Sequence, residues 1–180
     1  MGEPTTSIRI DERPGVSLSE LRPADALALV KHLNDRDIYE NTLRIPFPYS
    51  DDDANWFIEH AGETAAQHGH PLHFAIRQQQ GELIGGCGFN SVAYEHRAEI
   101  GYWLAKPFWG RGIMTDVVRT LCEHAISQWK LIRITAHVFE FNVASARVLQ
   151  KCGFQLEGRL RKHHVKDGRP IDSQLYALVR

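Results

Sequence analysis

Two groups of residues in this chain have types and spacings that could do chemistry. The first is Trp109-Gly110-Arg111-Gly112-Ile113-Met114-Thr115, which follows a run of strand character and opens a helical pattern. Paired glycines let a backbone turn tightly and come close to a ligand. The first turn of the following helix presents N–H groups without intrahelical acceptors, and the helix dipole adds positive potential there. Together these suit a phosphate or diphosphate, and Arg111 adds a mobile cation. A plain strand-to-helix turn would need the same glycines for geometry alone, so both readings stand. A Walker A loop is excluded because no Gly-Lys pair occurs. A dinucleotide fingerprint fits Gly110 and Gly112 but meets Thr115 where its third glycine belongs. Glu140 also lies further along than the roughly 20 residues expected of a ribose-binding acid.

The second group is scattered. Asn142-Val143-Ala144-Ser145 opens a helix, with Asn142 a natural N-cap. Glu99 lies on a strand with Gly101 and Trp103 on its own face and Tyr102 on the other. His164 lies in a later strand, and its imidazole suits proton transfer near neutral pH. His68-Gly69-His70-Pro71-Leu72-His73 gathers three histidines, but the spacing matches no standard zinc pattern. No metal is expected there, and the histidines read as surface or pocket lining. Asp51-Asp52-Asp53 read as helix-start charges. Cys87, Cys122 and Cys152 are odd in number and form no CxxC pair. They read as small buried side chains of a protein in a reducing, cytoplasmic compartment.

These residues need elements to position them. Ile8 and Ile10 alternate with polar neighbours, Arg13-Pro14-Gly15 reads as a turn, and Val16–Leu21 alternates as a half-buried strand. Pro23 opens a helix carrying Ala26, Leu27, Leu29, Val30 and Leu33. Ser50, with Asp53 three residues on, caps a second helix that ends near Gly69. Strands follow at Leu72–Arg77, Glu82–Val92 and Ala98–Leu104, and then a helix of about 17 residues by its period. Ile132–Phe139 is a strand, Val143–Lys151 a helix stopped by Gly153, and Phe154–Val165 with Ile171–Val179 a hairpin about Asp167-Gly168. The order β-α-α-β-β-β-α-β-α-β-β predicts a mixed sheet with helices, not a doubly wound fold.

The glycine loop resembles the acyl-CoA loop of the GNAT superfamily of N-acetyltransferases, whose pattern is (Gln/Arg)-x-x-Gly-x-(Gly/Ala) and which Gly110 and Gly112 match at its glycines. Glu99-Ile100-Gly101-Tyr102-Trp103-Leu104 followed by Trp109–Thr115 resembles the RimJ/RimL branch, named for acetyltransferases of ribosomal-protein N-termini. So do Asn142–Ser145 with Lys151-Cys152-Gly153-Phe154, and Leu21-Arg22-Pro23. The resemblance spans roughly residues 16–179.

It implies an α/β GNAT fold of the α+β type. A mixed, mostly antiparallel sheet of six to seven strands would be flanked by about four helices, with its central strands splayed for acetyl-CoA. Cofactor contacts would come from Tyr102, Trp103 and Leu104 on the strand, from Trp109, Gly110, Arg111, Gly112, Ile113, Met114 and Thr115 in the loop, and from Asn142 and Ser145. Backbone N–H groups of residues 111 to 115 would hold the diphosphate, and one near Leu104 would face the oxyanion. Attack by the amine would be direct, with no acyl-enzyme, leaving the cysteines without a catalytic part.

Glu99, Ser145 and His164 are the catalytic candidates. Ser145 would protonate the thiolate, because the tyrosine many relatives place one helical turn further along is replaced by Leu149. Glu99 would take the amine's proton or anchor a neighbour. His164 stands where some ribosomal-protein-modifying members carry a glutamate. The acceptor would be a primary amine, on a protein N-terminus or on a small molecule. A non-catalytic CoA-binding or partner-binding module is the competing class.

Composition bounds the rest. The chain has 180 residues, 43% hydrophobic and 24% charged, with a formal net charge of −1. This is one folded domain over residues 1–180, with 1–14 as an added N-terminal strand or arm. The charge balance argues against a nucleic-acid or anionic-membrane binder. Residues 157–170 are locally basic, with five cationic against two acidic side chains, as a solvated hairpin face or as a contact for phosphate or an acidic protein. No secretory leader and no membrane span are expected. Met1-Gly2 with Thr6 fits a myristoylation pattern only formally, with Glu3 and Pro4 beside the glycine. A homodimer remains open.

Overall fold

Local codes in the sequence set most of the element boundaries. The computed structural model describes residues 7–180. Residues 1–6 of the expected N-terminal arm, and the Met1-Gly2 pattern with them, lie outside the described residues. The strands are β1 (Ser7–Arg9), β2 (Val16–Ser19), β3 (His73–Gln78), β4 (Leu83–Ala93), β5 (Arg97–Leu104), β6 (Arg133–Phe139), β7 (Gln155–Lys166) and β8 (Arg169–Val179). The helices are α1 (Ala26–Leu33), α2 (Arg36–Asn41), α3 (Asp51–His68), α4 (Ile113–Trp129) and α5 (Val143–Lys151).

The Ser50 hydroxyl accepts from the Asp53 N–H at 3.2 Å while Asp53 accepts from the Ser50 N–H at 2.8 Å, the reciprocal cap expected at the start of α3. Gly69 ends that helix in the left-handed region at φ +74°. The β7–β8 turn places Asp167 and Gly168 at φ +51° and +72°, as a tight hairpin requires.

Two details depart from expectation. Pro23–Asp25 is a short 3-10 turn, and α1 begins only at Ala26. The six residues of α2 form a helix because Asp35 accepts from the N–H groups of Asp37 and Ile38. Ser7–Arg9, in the stretch read as an added strand or arm, joins the sheet as an eighth strand. The mixed, mostly antiparallel GNAT-type sheet therefore has eight strands and five helices where six to seven and four were expected.

The chain resolves into two compact units. One takes residues up to Gly88 and Tyr102–Val117, the other Phe89–Gly101 and Val118–Arg180. In the first unit the strands run β1-β2-β3-β4, antiparallel, with Leu18 opposite Ile76 and Phe74 opposite Cys87. Its core gathers Leu29, Leu33, Ile38, Tyr49, Ala54, Ala75 and Leu83, with Trp103 packed against them. Arg77 and Asp25 are buried to 4% and 6% exposure. The guanidinium donates to both Asp25 oxygens at 2.7 and 2.8 Å, to the Ser19 hydroxyl, and to the carbonyls of Glu20 and Gly81. A buried charge so fully partnered is stable, but losing either partner would strand the other.

In the second unit the strands run β4-β5-β6-β8-β7. Here β6 lies antiparallel to β8 from Arg133–Val179 to Phe139–Ser173. β5 pairs with β6 in parallel over three positions, Arg97–Arg133 to Glu99–Thr135. Phe89 meets Trp129 edge-on at 5.1 Å within this unit's core. Fully burying a side chain such as Phe89 contributes roughly 1.5–3 kcal/mol. Among the described residues no helix is long and apolar enough to cross a membrane.

Candidate active site

The glycine loop of the first unit is held by its backbone. Gly110 and Gly112 have φ of +73° and +77°, a region that costs other residues about 1–2 kcal/mol. Two left-handed residues so close together turn the chain abruptly from the end of β5 into α4. The first i→i−4 bond of α4 runs from the Asp116 N–H to the Gly112 carbonyl at 3.2 Å, so the amides of residues 113 and 114 have no i→i−4 acceptor in the helix. A Cβ at Gly110 would meet nothing within 4 Å, which leaves open space beside the turn. The loop thus fits an anion held by main-chain N–H groups.

The side chains of this segment have structural duties. Ile113 and Met114 are buried at 5% and 7% exposure, so of the two only the backbone is available to a ligand. Trp109 is 41% exposed, and its indole N–H donates to the Leu104 carbonyl at 2.6 Å, fastening the loop to the end of β5. The next amide, Ala105 N–H, donates to the Ile84 carbonyl at 2.8 Å. Two backbone groups at the strand end are therefore already engaged. Trp103 packs against the core of the first unit. A Cβ on Gly86 would stand 2.6 Å from the Trp103 indole nitrogen, so the glycines of β4 make room for it. Tyr102 is half-buried, and Arg111 lays its guanidinium over the Phe108 ring at 5.6 Å.

Arg13 is a residue of this loop that sequence reasoning took only for part of a turn. Its Nε donates to the Asp116 carboxylate at 2.8 Å and its Nη2 to the Arg111 carbonyl at 2.8 Å. No local signal could reveal a partner 98 residues away.

In the second unit, Glu99 lies 3.3 Å from His137 Nδ1. The parallel register puts Glu99 opposite Thr135, and His137 is two residues on, hence on the same face. The His137 ring stacks on His163 at 5.1 Å and meets His164 edge-on at 5.8 Å. Adjacent strand residues normally point to opposite faces, so both histidines could not border one ring in a regular strand. A bulge between Leu160 and His164 permits it: Leu160 lies opposite Ser173 and His164 opposite Ile171, with Lys162 at φ +51° between. Such an insertion re-aims side chains. Glu99 and His164 are thus both neighbours of His137, which sequence reasoning missed, although the alternation of β6 held the signal.

Asn142 caps α5, its Oδ1 accepting from the Ser145 N–H at 3.0 Å. This is the structural half of the two roles expected of it. Leu149 is fully buried, so the position expected of a tyrosine serves the core. In the basic hairpin Arg159 reaches Glu140 and Asp172, each at 2.8 Å, and Glu157 is bound by Arg133 of β6 at 2.8 Å. The Lys162 N–H, together with Arg159, holds the Asp172 carboxyl below the usual carboxylate range.

Cys87 and Cys122 are buried as expected, but Cys152 is only half-buried. In the first unit, burial, with the charges of His60 and Arg44, pushes His73 down to about 4. It packs near Phe57 and His60 instead of joining His68 and His70. Among the described residues no group of three or more His, Cys, Asp or Glu is placed to hold a metal.

Comparisons with known proteins agree with this architecture. The acetyltransferase (GNAT) domain family matches residues 16–155. An uncharacterized N-acetyltransferase, YoaA of Bacillus subtilis, is 41% identical over 58% of this chain and 59% of its own length. The ribosomal-protein-serine acetyltransferase of Escherichia coli is 32% identical over 63% of each chain. The chain spans less than two thirds of the length of these curated relatives. Among solved structures, the microcin C7 self-immunity acetyltransferase MccE, in complex with acetyl-CoA and AMP, shares 25% identity and a TM-score of 0.82 over 93% of this chain and 94% of that one. RimL, the ribosomal L7/L12 α-N-protein acetyltransferase, in complex with coenzyme A, aligns at a TM-score of 0.85 and 23% identity over 97% and 98%. Ribosomal-protein acetyltransferases thus recur among relatives and structural neighbours, the branch that the two motifs resemble. With a domain match over most of its length and the same fold throughout, the chain belongs to the GNAT acetyltransferase family.

Proposed function

We propose that this protein is an acetyl-CoA-dependent N-acetyltransferase that acetylates a primary amine, foremost the α-amine of a protein N-terminus in the cytoplasm. The observation that carries the reading is the left-handed Gly110–Gly112 turn leading straight into the first turn of α4, which supports a diphosphate cradle of main-chain N–H groups. Acetyl-CoA supplies the activated acyl carbon. The residues of this chain bind it and move protons.

Backbone N–H groups of residues 111–115 hold the diphosphate, with Arg111 as a nearby cation. Tyr102, Trp103 and Leu104, in the same unit, belong to the strand end that carries the rest of the donor. An amine must lose a proton to attack and be acylated. Glu99 accepts the Nδ1–H of His137, which leaves His137 Nε2 as the basic nitrogen. His163 and His164 keep that ring in place. The new N–C bond forms as the C–S bond breaks, and the Ser145 hydroxyl passes a proton to the leaving thiolate and regains one from water.

Small primary amines form the second arm of the test. The experiment is to mix the purified protein with acetyl-CoA and follow free thiol over N-terminal peptides, polyamines and aminoglycosides. Peptide-dependent release supports the N-terminal reading. Release with small amines alone moves the acceptor to metabolites or drugs. Donor binding without turnover leaves a CoA-binding module.

A further inference from the structure

Arg13 stands in the turn between β1 and β2, yet its guanidinium closes on the far loop at two points. It donates from Nε to the Asp116 carboxylate and from Nη2 to the Arg111 carbonyl, both at 2.8 Å. A guanidinium is a rigid planar fork, so two bonds from one head fix the spacing of their acceptors. Gly112 lies between those acceptors. A Cβ there would stand 3.2 Å from Arg13 Nη2, so this glycine is required both by its φ and by the arginine beside it. Asp116 lies in the first turn of α4, where an acid suits the helix dipole but opposes an incoming diphosphate. The pair is part-shielded, with side-chain exposures of 31% and 15%. An ion pair of this kind adds little to global stability; its consequence falls on the loop it ties.

We propose that Arg13 is a positioning residue for the donor site. It holds the 111–112 backbone in its anion-binding shape and neutralises Asp116 where the diphosphate arrives. This rests on the reading of the loop as the acetyl-CoA cradle. It predicts that Arg13 matters for donors that carry a diphosphate and not for those that lack one.

The test is calorimetric titration of the full chain with two ligands, acetyl-CoA and S-acetylpantetheine, which has the same thioester arm without the diphosphate. Arg13→Gln is expected to weaken acetyl-CoA about tenfold and leave S-acetylpantetheine and the melting temperature unchanged. Arg13→Lys keeps the charge but not the fork, and is expected to weaken acetyl-CoA by about threefold. The double variant Arg13→Gln with Asp116→Asn is expected to regain about threefold over Arg13→Gln, because the uncompensated carboxylate is gone. Equal losses with both ligands would make Arg13 a support of the fold and overturn the proposal, as would full acetyl-CoA affinity in Arg13→Gln. If Arg13→Gln does not fold, Arg13→Lys carries the same two-ligand comparison. Failure of the unaltered protein to bind acetyl-CoA at all is a separate result, which overturns the cradle reading itself.

Discussion

The glycine loop of the first unit and the histidine cluster of the second are built in opposite ways. The loop is one continuous stretch of backbone whose shape comes from two left-handed glycines, and most of its side chains are buried or tied elsewhere. The cluster is made of side chains only, brought from β5, β6 and β7 by a short parallel register and a bulge. A backbone site is specified locally and tolerates changes to most neighbouring side chains. A side-chain site is specified by strand pairing and fails when one residue loses its function. Donor binding and proton transfer should therefore respond to different substitutions.

The largest expected effect lies outside both regions and calibrates them. Arg77→Met would leave Asp25 as a buried, unpaired acid and cost about 3–5 kcal/mol, read by urea unfolding. It should depress donor binding and turnover together, through the fold, unlike any change in the loop or the cluster. Glu99→Gln comes next, with kcat falling about 100-fold, as for loss of the carboxylate that orients the proton-accepting imidazole of His137. A kcat within about twofold of the unaltered enzyme would take Glu99 out of the mechanism. Gly112→Ala should weaken acetyl-CoA about tenfold, in line with a cost of about 1–2 kcal/mol for a side chain in the left-handed region.

A smaller effect concerns His73, whose value falls from 6.5 to about 4 on folding, chiefly through burial. Between those pH values the unfolded chain binds a proton that the folded chain refuses, so stability drops as pH falls through that window. His73→Leu should flatten the slope between them in unfolding midpoints measured across pH. The smallest effect is Arg159→Ala, an exposed residue with exposed partners. No measurable change in melting temperature is expected.

The same contrast explains what could be read from the sequence. Helix starts at Ser50 and Asn142, the stop at Gly69, the Asp167-Gly168 turn and the Gly110–Gly112 loop are all encoded within a few residues, and each appears where the residues placed it. Short α2 escaped notice because its cap, Asp35, precedes only six helical residues, too few for a period. His137 escaped because its partner is set by the register between strands whose paired residues lie 36 positions apart, as Arg97 opposite Arg133. Arg13 escaped because its acceptors lie across the chain in α4 and the loop before it.

The most direct test of the account compares Gly112→Ala with Glu99→Gln in one assay, measuring acetyl-CoA affinity by calorimetry and kcat by thiol release with the best amine of the panel. The account predicts opposite patterns. Gly112→Ala should lose donor affinity and keep kcat within about twofold, and Glu99→Gln should keep affinity and lose kcat. If both variants lost both properties in parallel, or if neither moved either one, the division between a backbone site for the donor and a side-chain site for the proton would be wrong.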